Sequence, residues 1–499
     1  MTNLLQKGQR SVVSGGISLA IKHAKRNPEK GIKELADFFS KNLKATKNDE
    51  KYGDGENAFS NMDKLIGDPN GKWFKYAENV LTSVNDNVIR QTLLNFAYDA
   101  GYVGLDQVRT NKTKYNCNIP WTILFDPTSA CNLKCTGCWA AEYGHKLNLS
   151  NDDMEKIVSE GKALGSKFYI MTGGEPTTRM NDILDLATRH NDCYFHLFSN
   201  GTLITEEHCK IIQKLGNVSF ALSLEGAEDV NDGRRGDGVY NKVLETMDLL
   251  TKYGIFFGIS ACYTSANYES ITSDWYIDLI TSHGAKLIWY FHYMPTGMDA
   301  VPELLPTPDQ REHVFRRIRE IRSDDKHLIM PIDFQGDAQY VGGCIAGGKN
   351  YLHINSKGDV EPCVFIHYSS ANIKDENTSL LDALQQPLFM KYHQEAPFNR
   401  NMLMPCPMLE NSGKLTEMVK EAGAHSTEVN NPESVEHLCA KTKQYAINWA
   451  PRAKALSEEF QTFTTSNEAL RKLDEADDLE RVKELTRNTA SIKKAKARV

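Results

Sequence analysis

Three closely spaced cysteines are the residues of this chain best suited to chemistry. Cys131, Cys135 and Cys138 form the pattern C-x3-C-x2-C in the segment CNLKCTGC. Thiolates at this spacing, in a chain without a convincing secretory signal, predict a metal site rather than disulfides. Iron–sulfur clusters usually take four cysteines, so a loop that supplies three would leave one iron open to a small molecule. The alternative is a zinc site, which would need a fourth ligand such as His145.

Glycine and polar residues follow several predicted strands and are the next candidates for binding a ligand. Glycines at a strand end let the backbone approach a ligand closely, and a guanidinium can pair with a carboxylate through two parallel hydrogen bonds. The same residue types also form ordinary turns between strands and helices. These candidates are Gly173, Gly174, Glu175, Pro176, Ser199, Asn200, Ser223, Glu225 and Arg235.

The segments that must position these residues alternate between the hydrophobic period of β-strands and that of α-helices. Between about residues 120 and 325, six short β-branched and aromatic runs alternate with helical patterns. Repeated strand–helix units predict a parallel sheet, and in barrels of this type the chemistry collects at the carboxyl ends of the strands. Thr307, Pro308 and Gln310 predict a capped helix after the sixth strand.

The cysteine spacing on a loop after the first strand, followed by Gly-Gly-Glu-Pro after the second, resembles the radical S-adenosylmethionine (SAM) superfamily. The resemblance implies an α/β fold built on a partial (β/α)6 TIM-like barrel. It implies a 4Fe–4S cluster on Cys131, Cys135 and Cys138 whose open iron chelates SAM. The reduced cluster would cleave SAM to a 5′-deoxyadenosyl radical that abstracts hydrogen, with a flavodoxin- or ferredoxin-type protein as electron donor.

The resemblance also assigns roles around SAM. It places Gly173, Gly174, Glu175 and Pro176 at the methionyl end. It proposes the later strand-end residues for ribose or carboxylate contacts: Ser199, Asn200, Ser223, Glu225 and Arg235. One departure is Gly137, which stands where many members of the superfamily have an aromatic residue before the third cysteine, and it leaves the adenine contacts unassigned.

A second group of cysteines predicts a second metal site. Cys344 and Cys363 bracket a segment with the appearance of a hairpin turning at Lys357–Gly358. This segment resembles the auxiliary-cluster modules called twitch and SPASM, and it implies a second 4Fe–4S cluster on Cys344, Cys363 and Cys406. The fourth ligand could be Cys439, another residue or the substrate. The alternative is that these cysteines are buried structural thiols.

The sixth predicted strand runs through Trp289-Tyr290-Phe291-His292-Tyr293 and supplies the substrate candidates. Alternate residues of a strand face opposite sides, but the sequence does not decide which set faces inward. His292 and Tyr293 are the candidates for a substrate pocket, and core packing of the aromatic rings is the alternative.

The chain of 499 residues is long enough to form several domains. We predict an N-terminal helical region (1–115), the barrel (116–325), an auxiliary domain (326–440) and a charged helical tail (441–499). A net charge of −7 argues against a nucleic-acid binder. No run approaches the roughly 18 apolar residues of a membrane span. Because the cysteines are mostly unpaired in sequence and no convincing secretory signal is present, we expect a cytoplasmic protein.

The substrate is the least constrained prediction. Basic patches such as IKHAKR in the N-terminal region favour a lipid or small metabolite and leave peripheral membrane contact open. The alternatives are a ribosomal-peptide maturase of the same superfamily and a non-catalytic iron–sulfur or zinc redox sensor.

Overall fold

The structure is a computed structural model that describes residues 2–42 and 66–462. The polar, glycine-containing segment 47–61, which the sequence predicts as a loop or linker, lies outside these ranges, as does the part of the predicted tail after residue 462. The helices are α1 (Thr2–Arg26), α2 (Pro28–Asn42), α3 (Lys72–Ser83), α4 (Asp86–Gln91), a π-helix (Thr92–Gly104), α5 (Leu105–Tyr115), α6 (Asn151–Leu164), α7 (Met180–Arg189), α8 (Glu206–Leu215), α9 (Glu228–Arg235), α10 (Val239–Lys252), α11 (Tyr268–Thr272), α12 (Asp274–Ser282), α13 (Pro308–Ser323), α14 (Leu380–Leu384), α15 (Pro387–Glu395), α16 (Ser412–Ala422) and α17 (Val435–Phe460). The strands are β1 (Thr122–Phe125), β2 (Phe168–Met171), β3 (Tyr194–Ser199), β4 (Val218–Ser223), β5 (Phe257–Tyr263), β6 (Leu287–His292), β7 (Met330–Asp333), β8 (Tyr351–Ile354), β9 (Val360–Glu361), β10 (Tyr368–Ser369) and β11 (His425–Ser426).

A nine-stranded sheet forms the centre of the molecule. Its spatial order is β7-β6-β5-β4-β3-β2-β1-β8-β9, and β1 to β7 are parallel neighbours in chain order. The predicted α/β fold with a partial barrel is confirmed, and its six predicted strands correspond to β1–β6. The sheet also contains β7 and β8 of the following region, and β8 pairs in parallel with β1.

Alternate side chains of the strands pack on opposite faces. Phe195 and Leu197 of β3 join the core between the sheet and its covering helices. His196 and Phe198 face the barrel interior, where they meet Trp289 of β6 at ring-centroid distances of 6.1 and 5.7 Å. The alternate side chains of β6 that face the barrel interior are therefore those of Trp289 and Phe291.

The π-helix covers the amino end of the barrel. The Phe96 ring lies 5.6 Å from Trp121, 5.1 Å from Phe168 and 5.6 Å from Tyr194, measured between centroids. These partners stand at the starts of β1, β2 and β3. Because the aromatic cluster fills the amino end, ligand chemistry is left to the loops at the carboxyl ends, as expected for this architecture.

Two local predictions about the second half of the chain agree with the structure. Helix α13 begins with Thr307 and Gln310 in a reciprocal capping box. Strands β8 and β9 form the predicted hairpin, and Gly358 in its turn has φ of 101°. Helix α17 runs across the predicted boundary at residue 440 and buries Leu438 and Trp449 in the same core as Cys363.

In the part of the chain that the structure describes, none of the helices is both long enough and apolar enough to cross a membrane.

Candidate active site and auxiliary metal centre

The first cysteine loop follows β1 at the carboxyl end of the sheet. Cys131, Cys135 and Cys138 are free thiols and partly exposed. The pKa of Cys131 is raised to about 11, chiefly by burial, with smaller contributions from Glu175, Cys138 and Cys135 and an opposing hydrogen bond from Leu133 N. Cys135 and Cys138 thus act electrostatically on Cys131.

The two glycines after β2 hold the cysteine loop in place. Gly174 N donates to Thr128 O at 2.9 Å, and Glu175 N donates to Ala130 O at 2.8 Å. A Cβ at Gly173 would lie 2.4 Å from Thr128 O, and one at Gly174 would lie 2.2 Å from Ala130 O. The close approach that the glycines permit in this structure is to the segment entering the first cysteine.

This approach predicts that Gly174→Ala disrupts the site. The added methyl group must push away the backbone before Cys131, which we expect to cost about 1–3 kcal/mol in stability and to lower iron incorporation. Iron content after anaerobic reconstitution and thermal unfolding would measure both effects. Gly233→Ala is the matched control, since a Cβ there meets nothing within 4 Å. An unchanged iron content in Gly174→Ala would contradict the prediction.

Glu175 links the ends of β2 and β3. Its buried carboxylate accepts hydrogen bonds from Thr177 N (3.0 Å), Thr177 Oγ1 (2.5 Å), Ser199 Oγ (2.7 Å) and Asn200 N (2.7 Å). Burial raises the pKa of Glu175, and these donors oppose the rise. Pro176 starts the short helical turn that presents the Thr177 donors. Glu175 and Ser199 thus have protein partners for their polar side-chain atoms in this structure.

The Asn200 side chain connects this network to the cysteine loop. Its Nδ2 donates to Asn132 Oδ1 at 2.9 Å, and Asn132 Nδ2 donates to Thr202 Oγ1 at 2.8 Å. Asn132 lies beside Cys131 in the sequence. The strand ends predicted as SAM contacts are therefore assembled around the cysteine loop.

A buried ion pair connects β4 to the same loop. Glu225 Oε1 accepts from Arg234 Nη1 at 2.7 Å and from Arg235 Nε at 3.2 Å. Arg235 Nη1 lies 4.0 Å from Cys135 Sγ, and Arg234 Nε donates to Thr136 O at 3.2 Å. Burial would lower the pKa of Arg235, but Glu225 and Cys135 outweigh it and raise that pKa. Arg235 is thus a fixed cation beside Cys135, and Ser223 at the end of β4 pairs with Ser260 of β5.

The substrate candidates on β6 fall in different environments. His292 is buried, and its Nδ1 and Nε2 lie 2.6 Å from Tyr293 O and from Tyr445 Oη. It faces the outside of the barrel, toward α17. Tyr293 lies against the cysteine loop, since a Cβ on Gly137 would stand 2.8 Å from Tyr293 Oη. Of the two candidates, Tyr293 lies beside the predicted cluster and His292 packs away from it.

A buried charged network lies between the two predicted metal regions. His353 Nε2 lies 3.0 Å from Asp126 Oδ2, and His353 Nδ1 lies 2.6 Å from Glu361 Oε2. Burial alone would lower the pKa of His353, but the two carboxylates raise it to about 10. Tyr143 Oη donates to Glu361 Oε2 at 2.7 Å. Asp126 follows β1, and Glu361 precedes Cys363 by two residues.

The second cysteine group lies in the core under α15 and α17. Burial raises the pKa of Cys406 well above its usual range, and Glu410, Cys344 and Cys363 add to the rise. Cys363 Sγ accepts a hydrogen bond from Tyr351 Oη at 2.7 Å. The fold therefore brings together three cysteines separated by up to 62 positions in the chain (344 to 406).

The two cysteine groups fit iron–sulfur clusters in donor type. Across residues 2–42 and 66–462, no three His, Cys, Asp or Glu side chains are arranged to hold a metal ion. A 4Fe–4S cluster binds each thiolate through a different iron, so its cysteines surround it rather than converge on one point. At the first site, the cation of Arg235 beside Cys135 complements the negative charge of a thiolate-bound cluster.

Comparisons with known proteins agree with this architecture. Residues 125–271 match the Radical SAM superfamily model. AdoMet-dependent heme synthase of Methanosarcina barkeri (strain Fusaro / DSM 804) is 26% identical over 309 residues, covering 55% of this chain and 87% of the relative. PqqA peptide cyclase of Bradyrhizobium diazoefficiens is 23% identical over 265 residues, covering 51% and 69%. Streptococcus suis SuiB bound to S-adenosylmethionine matches with a TM-score of 0.51 at 18% identity, covering 70% of this chain and 85% of SuiB, which shows the fold alone.

The fold and the matched region, residues 125–271, define a radical SAM domain, the domain of radical SAM enzymes. Enzymes of this superfamily use a 4Fe–4S cluster and SAM, and the cluster, when bound, supplies the electron that cleaves SAM. The predicted preference for a lipid or small metabolite finds no support in the comparisons. In the barrel interior, Trp289 and Phe291 of β6 stack on each other, and each packs edge-on against Phe198.

Proposed function

We propose that this radical SAM enzyme modifies a ribosomally made peptide after hydrogen-atom abstraction. The observation that carries the reaction class is the cysteine loop held against the Gly173–Gly174 backbone with the Arg235 cation at Cys135. The substrate class is supported by the similarity to PqqA peptide cyclase over 265 residues. The lipid reading has no comparable support.

In this proposal, Cys131, Cys135 and Cys138 hold the SAM cluster. The SAM site is formed by the strand ends, where Gly173, Gly174 and Pro176 shape the methionyl end. Glu175 and Glu225 act on the site through other residues. The Glu175 carboxylate binds Ser199 and Asn200, and the Glu225 carboxylate binds Arg234 and Arg235. Ser223 at the end of β4 and Arg235 are the groups proposed to meet the polar parts of SAM.

Cys344, Cys363 and Cys406 hold an auxiliary 4Fe–4S cluster in the same proposal. Their support is the shared core and their mutual electrostatic effect. A flavodoxin- or ferredoxin-type protein supplies electrons, and the enzyme works in the cytoplasm without nucleic acid.

The test is a substrate-dependence assay. The full chain, reconstituted anaerobically with iron and sulfide, would be mixed with SAM, dithionite and synthetic peptides encoded by short reading frames beside its gene. We expect one peptide to stimulate 5′-deoxyadenosine formation and to change in mass. A parallel arm contains iron porphyrins, because three relatives are AdoMet-dependent heme synthases.

The arms separate the outcomes clearly. A mass change in a porphyrin with no peptide modified would overturn the peptide substrate while leaving the radical SAM chemistry intact. The absence of 5′-deoxyadenosine from a protein with a full iron complement would favour the non-catalytic redox sensor. The Cys135→Ala variant supplies the background for both arms.

A further inference from the structure

Tyr392 on α15 has a buried hydroxyl without a partner. Its side chain is 1% exposed, and Oη makes no hydrogen bond to any residue of the described chain. Buried polar groups are almost always hydrogen-bonded, so an orphan of this kind needs an explanation such as a ligand. Another phenol of the same core, Tyr351, instead donates to Cys363 Sγ at 2.7 Å.

Four cysteines share the core that contains Tyr392. Burial raises the pKa of Tyr392 well above its usual range, and four thiols add to the rise: Cys344, Cys363, Cys406 and Cys439. All four cysteines belong to, or pack against, the core that contains the Tyr392 ring. Tyr392 therefore lies in the same core as the residues predicted to hold the auxiliary cluster and its fourth ligand.

The Tyr392 ring is fixed in this position by packing. A Cβ on Gly347 would lie 2.3 Å from Tyr392 Cβ, so the backbone near Cys344 passes directly against the base of this side chain. The Phe398 ring packs edge-on at 5.3 Å between centroids. Held on two sides, the ring keeps its place in this core.

We propose that Tyr392 Oη donates a hydrogen bond to a sulfur of the auxiliary cluster and thereby raises the reduction potential of that cluster. The inference rests on the auxiliary cluster of the proposed function. Reduction adds negative charge to the cluster, and a hydrogen bond to its sulfur stabilises that charge, which is a recognised way in which a protein sets the potential. The cluster sulfur would then be the hydrogen-bond acceptor that the protein alone does not provide for Tyr392 Oη.

The test uses a full chain that contains only the auxiliary site. Cys131, Cys135 and Cys138 are replaced together by alanine, and the protein is reconstituted with iron and sulfide. In this background, Tyr392→Phe is expected to lower the equilibrium constant for one-electron reduction about tenfold, which corresponds to about 59 mV. A redox titration followed by electron paramagnetic resonance measures the shift.

Tyr169→Phe is the matched control. The Tyr169 hydroxyl is also buried, but it donates to the carbonyl oxygens of Val158 and Ser166 in the barrel wall. We expect this variant to keep the parental potential. A second readout is the coupling of an exchangeable proton to the reduced cluster, which should be present in the parent and in Tyr169→Phe and lost in Tyr392→Phe.

Each outcome has a distinct meaning. If the triple-alanine background binds no cluster, the auxiliary cluster of the proposed function is overturned. If a cluster forms and Tyr392→Phe changes neither the potential nor the proton coupling, the role of Tyr392 is overturned and the auxiliary cluster stands. If Tyr392→Phe alone prevents cluster assembly, Tyr392 is a ligand or scaffold residue and the tuning role is overturned.

Discussion

The Cys135→Ala variant is expected to form no 5′-deoxyadenosine above background. Cys135 is the middle thiol of the loop and lies beside the Arg235 guanidinium, so its loss removes one anchor and leaves that cation facing an incomplete site. A three-thiolate site cannot spare a ligand and still present one open iron. Iron should fall by about four atoms per chain, the content of one 4Fe–4S cluster.

The measurement is iron and sulfide analysis together with chromatography of the nucleoside product. Cys209→Ala is the control, because Cys209 is a buried thiol on α8 that packs in the outer core of the barrel. It should keep the iron and the product. Product formation at the parental rate in Cys135→Ala would refute the assignment of this loop as the SAM-cluster site.

The Arg311→Leu variant is expected to lose about 3–5 kcal/mol of local stability, the usual cost of breaking a buried ion pair. Arg311 Nη1 donates to Glu410 Oε1 at 2.8 Å and to Tyr445 Oη at 3.0 Å, and its guanidinium packs on Trp449. Without Arg311, the Glu410 carboxylate is buried without its cation. Glu410 Oε2 accepts from Cys406 N at 2.8 Å, so iron at the auxiliary site should fall as well.

The loss should depend on pH with a defined sign. Burial raises the pKa of Glu410, and Arg311 opposes this rise, so removing Arg311 lets the carboxyl stay protonated to higher pH. An acid with a raised folded-state pKa loses stability as pH rises past its unfolded-state value. The deficit of Arg311→Leu should therefore shrink as pH falls from neutral toward the ordinary pKa of glutamate.

Hydrogen exchange of the α13 and α17 amides measures the local opening free energy. The control is Arg316→Leu on the same helix, where the arginine pairs with exposed Glu459. Exposed pairs contribute about 0–1 kcal/mol, so this variant should stay near the parent. Equal losses of opening free energy in the two arginine variants would show that the buried Arg311–Glu410 pair stabilises the fold no more than the exposed pair does.

Local sequence patterns were sufficient for much of the fold. Strands β1–β6 follow from the change of period, and the α13 start follows from Thr307 and Gln310, since both signals lie within a few residues. The hairpin of β8 and β9 follows from Gly358 in the same way. The cysteine loop was also recognisable, because its spacing is itself the chemical signal.

Long-range partners could not be predicted in this way. The pairing of β1 with β8 joins residues more than 200 positions apart and leaves no local mark. Glu175 and Glu225 looked like ligand contacts, but only the folded chain shows that their oxygens bind Ser199, Asn200 and the two arginines. Tyr392 has no distinguishing sequence signal, because a tyrosine on a helix with buried neighbours has the pattern of an ordinary core residue.

The pairing of β1 with β8 has an engineering consequence. The backbone hydrogen bonds of one sheet join the strand that leads into Cys131 to the strand that starts the hairpin ending near Cys363. Asp126, His353 and Glu361 reinforce this seam with buried charge. Chimeras that graft an auxiliary region from another enzyme must therefore match the register of β1. The hairpin of β8 and β9 is part of the central sheet, and the sheet pairing sets its orientation toward the first cysteine loop.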